Sequence, residues 1–141
     1  MNNSPPSLSS LVLNAARGIE DRMEGGLAGI GLSLAKYGVL SKLVEAGEPL
    51  PLGALADRCA CVRSNMTQLI DRLEAEKLVE RVDDPTDRRS VRATLTAAGR
   101  ARHAEAAGIL REIEREVLVR LDETDRLSLT RLVSLLEGKE L

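Results

Sequence analysis

The 141-residue sequence predicts a mainly α-helical fold with a small β-wing near the middle of the chain. Apolar residues recur with a period of about 3.6 over most of the sequence, which is typical of amphipathic helices. Two short segments, 78–82 and 90–95, instead favour extended structure, and the second alternates apolar and polar residues. The sequence DDPTD at 83–87 lies between them and is typical of a turn. These patterns predict helices on both sides of a single hairpin.

The composition is that of an ordinary globular protein and limits the kinds of partner. The length corresponds to one domain, and 43% apolar and 30% charged residues are enough for a core and a hydrated surface. Tyr37 is the only aromatic residue, so aliphatic side chains must form the core. The formal net charge of −2 gives no overall attraction for nucleic acid. Arginines and acids balance between Val79 and Arg92, so any DNA affinity requires a local arrangement of charge.

The sequence shows no pattern of a membrane or export segment. No stretch approaches the ~18 consecutive apolar residues of a membrane helix. Residues 1–7 are polar and proline-containing, unlike a signal peptide, and are expected to be a disordered lead-in to one domain at 8–141. A cytoplasmic protein without a membrane partner is therefore predicted. Cys59 and Cys61 give no disulfide framework and would remain thiols in that reducing compartment.

Caps, glycines and prolines place the elements of the first half. Ser33 is a suitable N-cap, and Gly47 suits the left-handed position after a helix. The two prolines of 48–51 favour a short edge strand. The predicted elements are a helix from Leu8 to about Gly26, a loop at Gly25–Gly31, a helix at Leu34–Ala46, the strand at 48–51 and a short helix at Leu52–Arg58.

The second half is predicted to contain two helices after the hairpin. Thr96 would cap a long helix whose residues Ala106, Leu110, Ile113 and Val117 form a coiled-coil-like seam. His103 on this helix is expected to be solvent-exposed. Residues 122–125 indicate a break and the start of a last helix. The terminal helices have more apolar surface than the central module can cover, which predicts a symmetric homodimer.

The helix from about 62 to 77 has one apolar and one polar face. Met66, Ile70 and Leu73 lie on the apolar face, and the hairpin that follows is tipped by Arg88 and Arg89. Amide side chains bind adenine, arginine binds guanine, and an arginine at a hairpin tip suits a narrow minor groove. These features predict a winged helix-turn-helix DNA-binding module. The polar face comprises Arg63, Ser64, Asn65, Thr67, Gln68 and Arg72.

Two charged residues near this face have partners that the sequence leaves open. Asp71 is unfavourable beside phosphate, so it would accept from cytosine or pair with Arg72 or Arg63. Arg92 is expected to face outward and to contact phosphate or a neighbouring acid such as Asp84.

The run LxxLADRCACVRSNMTQLIDRLEAEKLVERVDDPTDRRSVRATLTAAGR resembles the MarR family of bacterial transcriptional regulators. The resemblance implies a winged helix-turn-helix at 32–96, flanked by N- and C-terminal dimerisation helices with their connecting loop at 8–31 and 97–141. It implies a homodimer that binds a palindromic operator in double-stranded DNA, usually as a repressor, with release by a small molecule or by thiol oxidation.

The resemblance also assigns roles to single residues. The polar face would enter the major groove or contact its flanking phosphates. Arg88, with Arg89 as the near alternative, would enter the minor groove, and Asp87 would hold these arginines in place with Arg92 as further support. Val62 stands where a Ser or Thr cap is common in the family. Tyr37 marks the expected effector pocket.

Other functions remain open from the residues alone. Cys59 and Cys61 are either thiol sensors or small buried hydrophobes, and their short spacing disfavours a mutual disulfide. Tyr37 is either part of a pocket or a core residue. No catalytic constellation, cofactor motif or metal-ligand set is predicted, so the protein is not expected to be an enzyme. The alternatives to a DNA-binding regulator are a protein-interaction module and a redox-sensing regulator.

Overall fold

A computed structural model describes residues 4–61 and 63–139. These residues form six helices and a three-stranded antiparallel sheet, which confirms the mainly α-helical fold with a small wing. The helices are α1 (Leu8–Ala28), α2 (Leu34–Ala46), α3 (Leu52–Arg58), α4 (Arg63–Ala75), α5 (Ala97–Val117) and α6 (Glu123–Leu136). The strands are β1 (Leu50–Pro51), β2 (Val79–Asp84) and β3 (Asp87–Leu95). Val62 lies outside the described residues, so its predicted place at the start of the central helix is not described.

The predicted helix caps are present. The Ser33 hydroxyl accepts a hydrogen bond from the Lys36 amide at 3.2 Å, and Gly47 has the left-handed φ of 66°. The Thr96 hydroxyl accepts from the Gly99 amide at 2.9 Å and starts α5. Each cap satisfies an amide that the helix itself leaves without a partner, so local chemistry sets these helix starts.

The first helix is longer than predicted, and the loop expected at Gly25–Gly31 is wrong over its first half. Helix α1 passes through both glycines to Ala28, and the left-handed turn comes only at Gly31, with φ 74°. A Cβ atom on Gly26 would lie 2.7 Å from Cδ1 of Ile113 in α5. This glycine therefore lets α1 and α5 approach closely and does not end the helix.

The lead-in is described only in part. Residues 1–3 of the predicted disordered segment lie outside the described residues. The side chain of Ser7 accepts a hydrogen bond from the Ser10 amide at 3.2 Å and caps α1. The lead-in therefore ends in a helix cap.

The wing is tighter than predicted. Strand β3 begins at Asp87 and pairs with β2 on one side and with the short β1 on the other. The carboxylate of Asp84 accepts from the amide of Thr86 at 2.9 Å and from its hydroxyl at 2.8 Å. The loop predicted at 83–87 is therefore only Pro85 and Thr86, because the hydrogen bonds to Asp84 close a tight Asx turn.

The core lies between α2, α3, α4 and the wing. Its largest fully buried side chains are Leu27, Val39, Leu40, Leu55, Met66, Ile70, Leu73, Leu78 and Val79. The predicted seam of α5 packs within the chain, because Ala106 is buried and Ile113 faces Gly26 of α1. None of the described helices is long and apolar enough to cross a bilayer.

The terminal helices are only partly covered. Among the described residues, α6 has no buried side chain and α1 has one, Leu27. Their large exposed apolar side chains are Leu8, Leu11, Val12, Leu13, Leu127, Leu129, Leu132, Val133, Leu135 and Leu136.

Candidate nucleic-acid interface

Helix α4 is held by its apolar face, which leaves its polar face outward. Met66, Ile70 and Leu73 are fully buried. The structure brings five of the predicted contact residues together on the exposed side: Ser64, Asn65, Thr67, Gln68 and Arg72. Arg63 begins the helix, and its side chain lies outside the described part. A helix that is buried on one side presents the other side in a fixed orientation.

The turn between α3 and α4 contains a strained residue. Ala60 has a φ of 49°, in the left-handed region that glycine usually occupies. The Cys61 amide donates to the carbonyl oxygen of Ala56 at 2.9 Å, and the Ala60 amide donates to that of Asp57 at 3.3 Å. These bonds end α3 in a Schellman-type turn. The sequence carried no glycine at this position to signal it.

Two arginines lie at the tip of the wing. Arg88 and Arg89 are exposed, and within the described residues neither guanidinium is in an ion pair. Asp87 accepts from the backbone amide of Arg89 at 2.9 Å. Asp87 therefore fixes the backbone beneath the arginines and leaves both guanidiniums available to an anion.

Arg92 contacts Asp84, the neighbouring acid that was predicted as one of its two alternative partners. Its Nη2 donates to Asp84 at 3.1 Å, and the Asp84 side chain is 8% exposed. Hydrogen bonds from Thr86, reinforced by Arg92, lower the pKa of Asp84 below its usual value. Because the folded pKa is lowered, the bonds of this carboxylate contribute stability above its unfolded pKa and are lost as the pH falls through the folded pKa. At neutral pH these bonds are therefore present and stabilise the tip of the wing.

Within the described residues Asp71 pairs with an arginine other than Arg72, so that predicted partner is wrong, whereas a pair with Arg63, whose side chain lies outside the described part, stays a prediction. Its carboxylate accepts from Nη2 of Arg81 on strand β2. Nη1 of Arg81 donates to Glu74 at 2.8 Å, and the Arg81 backbone amide donates to the same carboxylate at 2.9 Å. These acids raise the pKa of Arg81, Asp71 most strongly. Sequence reasoning missed this cluster because its members lie on different elements.

Comparison with known proteins identifies the family. The sequence model described as the MarR family matches residues 30–90. The HTH-type transcriptional regulator MhqR of Bacillus subtilis is 31% identical over 114 residues, which cover 80% of this chain and 73% of MhqR. The chain belongs to the MarR family. The matched family and this relative are transcription regulators, not enzymes.

Solved structures show the same MarR fold. A cysteine-to-serine mutant of MarR from E. coli, complexed with operator DNA, superimposes with a TM-score of 0.81 at 20% identity, over 92% of each chain. BpsR of Bordetella bronchiseptica, whose DNA binding is regulated by 6-hydroxynicotinic acid, superimposes with a TM-score of 0.82 at 24% identity, over 97% of this chain and 100% of BpsR. At these identities the likeness establishes the fold alone.

Tyr37, the residue predicted to mark an effector pocket in this MarR-family chain, stacks on His103 of α5. The two rings are parallel, with centroids 5.1 Å apart, and Nε2 of His103 lies 3.1 Å from the Ser41 hydroxyl. His103 is half-buried, so its predicted exposure is wrong: the contact between α2 and α5 covers it. Burial lowers the pKa of His103, although nearby Glu45 partly opposes this, and the shift favours the neutral ring. The effector pocket remains a prediction.

The two cysteines line one cleft on the other side of α2. The cleft has a volume of about 390 Å³, and Leu34, Lys42, Arg58 and Leu69 also line it. Both cysteines are half-buried thiols. Burial raises the pKa of the Cys59 thiol, although nearby Lys42 partly opposes this. Thiol sensing therefore remains a prediction, and at neutral pH Cys59 has less of the reactive thiolate than an ordinary cysteine.

We expect Cys59 to react slowly with iodoacetamide at pH 7.5, because alkylation requires the thiolate. The rate should be lower in the folded protein than in the urea-unfolded chain, and the difference should narrow above pH 9. Mass spectrometry of a Cys61→Ser variant measures the alkylation of Cys59 alone. Equal rates in the folded and unfolded chains would contradict the protonated, shielded thiol.

Proposed function

We propose that this protein is a homodimeric repressor that binds a palindromic operator and is released by a small-molecule effector. The observation that carries the proposal is the combination of two surfaces: the outward polar face of α4 and a wing with two exposed arginines at its tip. Helix α4 would enter the major groove, and the wing would enter the adjacent minor groove. The E. coli MarR mutant that was solved in complex with operator DNA has the same fold, which supports operator binding.

Each part of the polar surface suits a different element of DNA. Asn65 and Gln68 have amides that bind adenine in a bidentate manner, and Arg72 suits guanine or phosphate. Ser64 and Thr67 suit phosphate oxygens. Arg63 joins this set on sequence grounds. Arg88 and Arg89 would neutralise the negative potential of the minor groove.

The exposed apolar surface of α1 and α6 supports the dimer. Side chains such as Leu8 and Leu136, 76% and 70% exposed, are unfavourable in water and would be covered by a second copy. Two-fold symmetry would place two α4 helices on half-sites about 34–36 Å apart. An effector that changes the angle between the two arms would alter that spacing and release the DNA. BpsR, whose DNA binding is regulated by 6-hydroxynicotinic acid, supports control by a small molecule.

One observation favours a second function. The net charge of −2 and the balance of arginines and acids in the wing suit a protein-interaction module that retains the winged-helix fold. Such a module would use the same polar face on another protein. The dependence of binding on salt separates the two functions.

Duplexes selected from a random pool and titrated at several salt concentrations test the proposal. We expect log K to fall with log salt by about 0.9 for each phosphate contacted. Arg88→Ala should weaken binding about tenfold, because it removes a charged contact from the minor groove. Arg111→Ala, which removes an exposed arginine from α5, is the charge-matched control and should bind normally. No preference for any duplex at low salt would contradict DNA binding, and equal affinity of Arg88→Ala would contradict the role of the wing.

A further inference from the structure

Arg81 connects the wing directly to α4. Its guanidinium donates to Glu74 at 2.8 Å and also contacts Asp71, one turn earlier in the same helix. Its backbone amide donates to Glu74 at 2.9 Å. A single residue of β2 is therefore held by side chain and backbone to two carboxylates of α4. A planar guanidinium that binds two carboxylates fixes the orientation of its strand relative to the helix, as well as the distance between them.

This connection lies where the wing loses its third strand. Strand β1 pairs with β3 only at Ala93 and Arg92, and Arg81 is the residue of β2 that pairs with Ala93. Beyond this point, towards Arg88, the wing is a ribbon of two strands. An isolated two-stranded ribbon is marginally stable and strongly twisted, so its direction depends on what anchors its base.

The same contacts neutralise a carboxylate on the polar face. Asp71 follows Ser64 by seven residues and Gln68 by three, so the three side chains share one side of α4. The Asp71 side chain is 60% exposed, whereas that of Arg81 is 27% exposed. An uncompensated carboxylate here would repel phosphate, and the guanidinium of Arg81 offsets its charge.

We propose that Arg81 is a positioning residue that fixes the direction of the wing relative to α4, so that both reach adjacent grooves of one duplex. The inference rests on the proposed function. It assigns the angle between the two DNA-contacting elements to a residue that need not touch DNA. The contribution of Arg88 to binding should then depend on Arg81.

A double-mutant cycle between Arg81 and Arg88 tests this dependence. Arg81→Ala should weaken duplex binding about tenfold. In that background Arg88→Ala should weaken binding by less than about twofold, because the misplaced wing no longer reaches its groove. Arg81→Lys keeps the positive charge but cannot span two carboxylates. Arg88→Ala should therefore also have little effect on binding in the Arg81→Lys background. Lys36→Ala is the control, since it breaks the 2.5 Å pair between α2 and Glu76, the residue that directly follows α4, and leaves the wing contacts intact.

The outcomes distinguish positioning from charge and from stability. If Arg81→Lys binds like the wild type and retains the full effect of Arg88→Ala, charge alone suffices and the positioning role is wrong. If the losses of binding free energy in Arg81→Ala and Arg88→Ala simply add in the double variant, the positioning role is wrong as well. Circular dichroism identifies a variant that fails to fold, and Arg81→Lys then carries the test.

A wild-type protein that binds no duplex would end the proposed function and leave a separate test of Arg81. Amide exchange of residues 81–92 in the free protein should accelerate in Arg81→Lys relative to Lys36→Ala. Unchanged exchange would overturn the inference.

Discussion

Gly99→Ala is expected to lower the free energy of unfolding by about 3 kcal/mol. A Cβ atom at this position would lie 2.0 Å from the carbonyl oxygen of Leu78 and 3.1 Å from Cδ2 of Leu95. The carbonyl cannot move freely, because it accepts a hydrogen bond from the Thr96 amide at 3.2 Å, and the Thr96 hydroxyl donates to the preceding carbonyl of Lys77 at 2.7 Å. The added methyl group would therefore separate α5 from the base of the wing.

Gly108→Ala in the same helix is the matched control. Its nearest neighbour would be Nη2 of Arg111 at 3.9 Å, an ordinary contact. Alanine is the better helix former, so this variant should be more stable by about 0.5–1 kcal/mol. Urea unfolding followed by circular dichroism measures both changes. A Gly99→Ala protein as stable as the wild type would show that the contact between α5 and Leu78 does not constrain the fold.

Leu132→Asp combined with Leu136→Asp is expected to produce a monomer whose affinity for the operator is lower by about 100-fold or more. These residues are four apart on α6, so they share one side of the helix, and they are 49% and 70% exposed in the single chain. Carboxylates at these positions would be unfavourable in an apolar dimer interface but are well hydrated in a monomer. Each monomer would then bind one half-site alone.

Sedimentation equilibrium and duplex titration measure the two effects together. Thr130→Asp places a carboxylate on the opposite side of α6 and is the control for charge and helix propensity. A double variant that remains dimeric would exclude this side of α6 from the interface. A monomeric wild type that still prefers a palindrome would contradict the proposed mode of binding.

Local chemistry made much of the fold predictable. Ser33, Gly47 and Thr96 act within one turn of their own position, and the caps they predicted are present. Gly26 was misinterpreted because a glycine that ends a helix and one that admits a neighbouring helix look alike in sequence. Only the approach of Ile113 distinguishes them.

The candidate site was predictable in its surfaces but not in its internal contacts. The polar face of α4 and the arginines of the wing follow from spacing along one element each. The partner of Asp71 does not, because Arg81 reaches it only after α4 and β2 have packed together. The stacking of His103 on Tyr37 likewise depends on α2 meeting α5, which no local pattern encodes.

The stacked pair also has a spectroscopic consequence. Tyr37 is the only ring of its kind in a chain without tryptophan or phenylalanine, so near-ultraviolet absorbance and emission come from this one chromophore. It lies 5.1 Å from His103, between a helix of the central module and the long helix α5. Any ligand or duplex that shifts α2 against α5 should change tyrosine fluorescence without a label. The fluorescence of Tyr37 thus reports directly on the contact between α2 and α5.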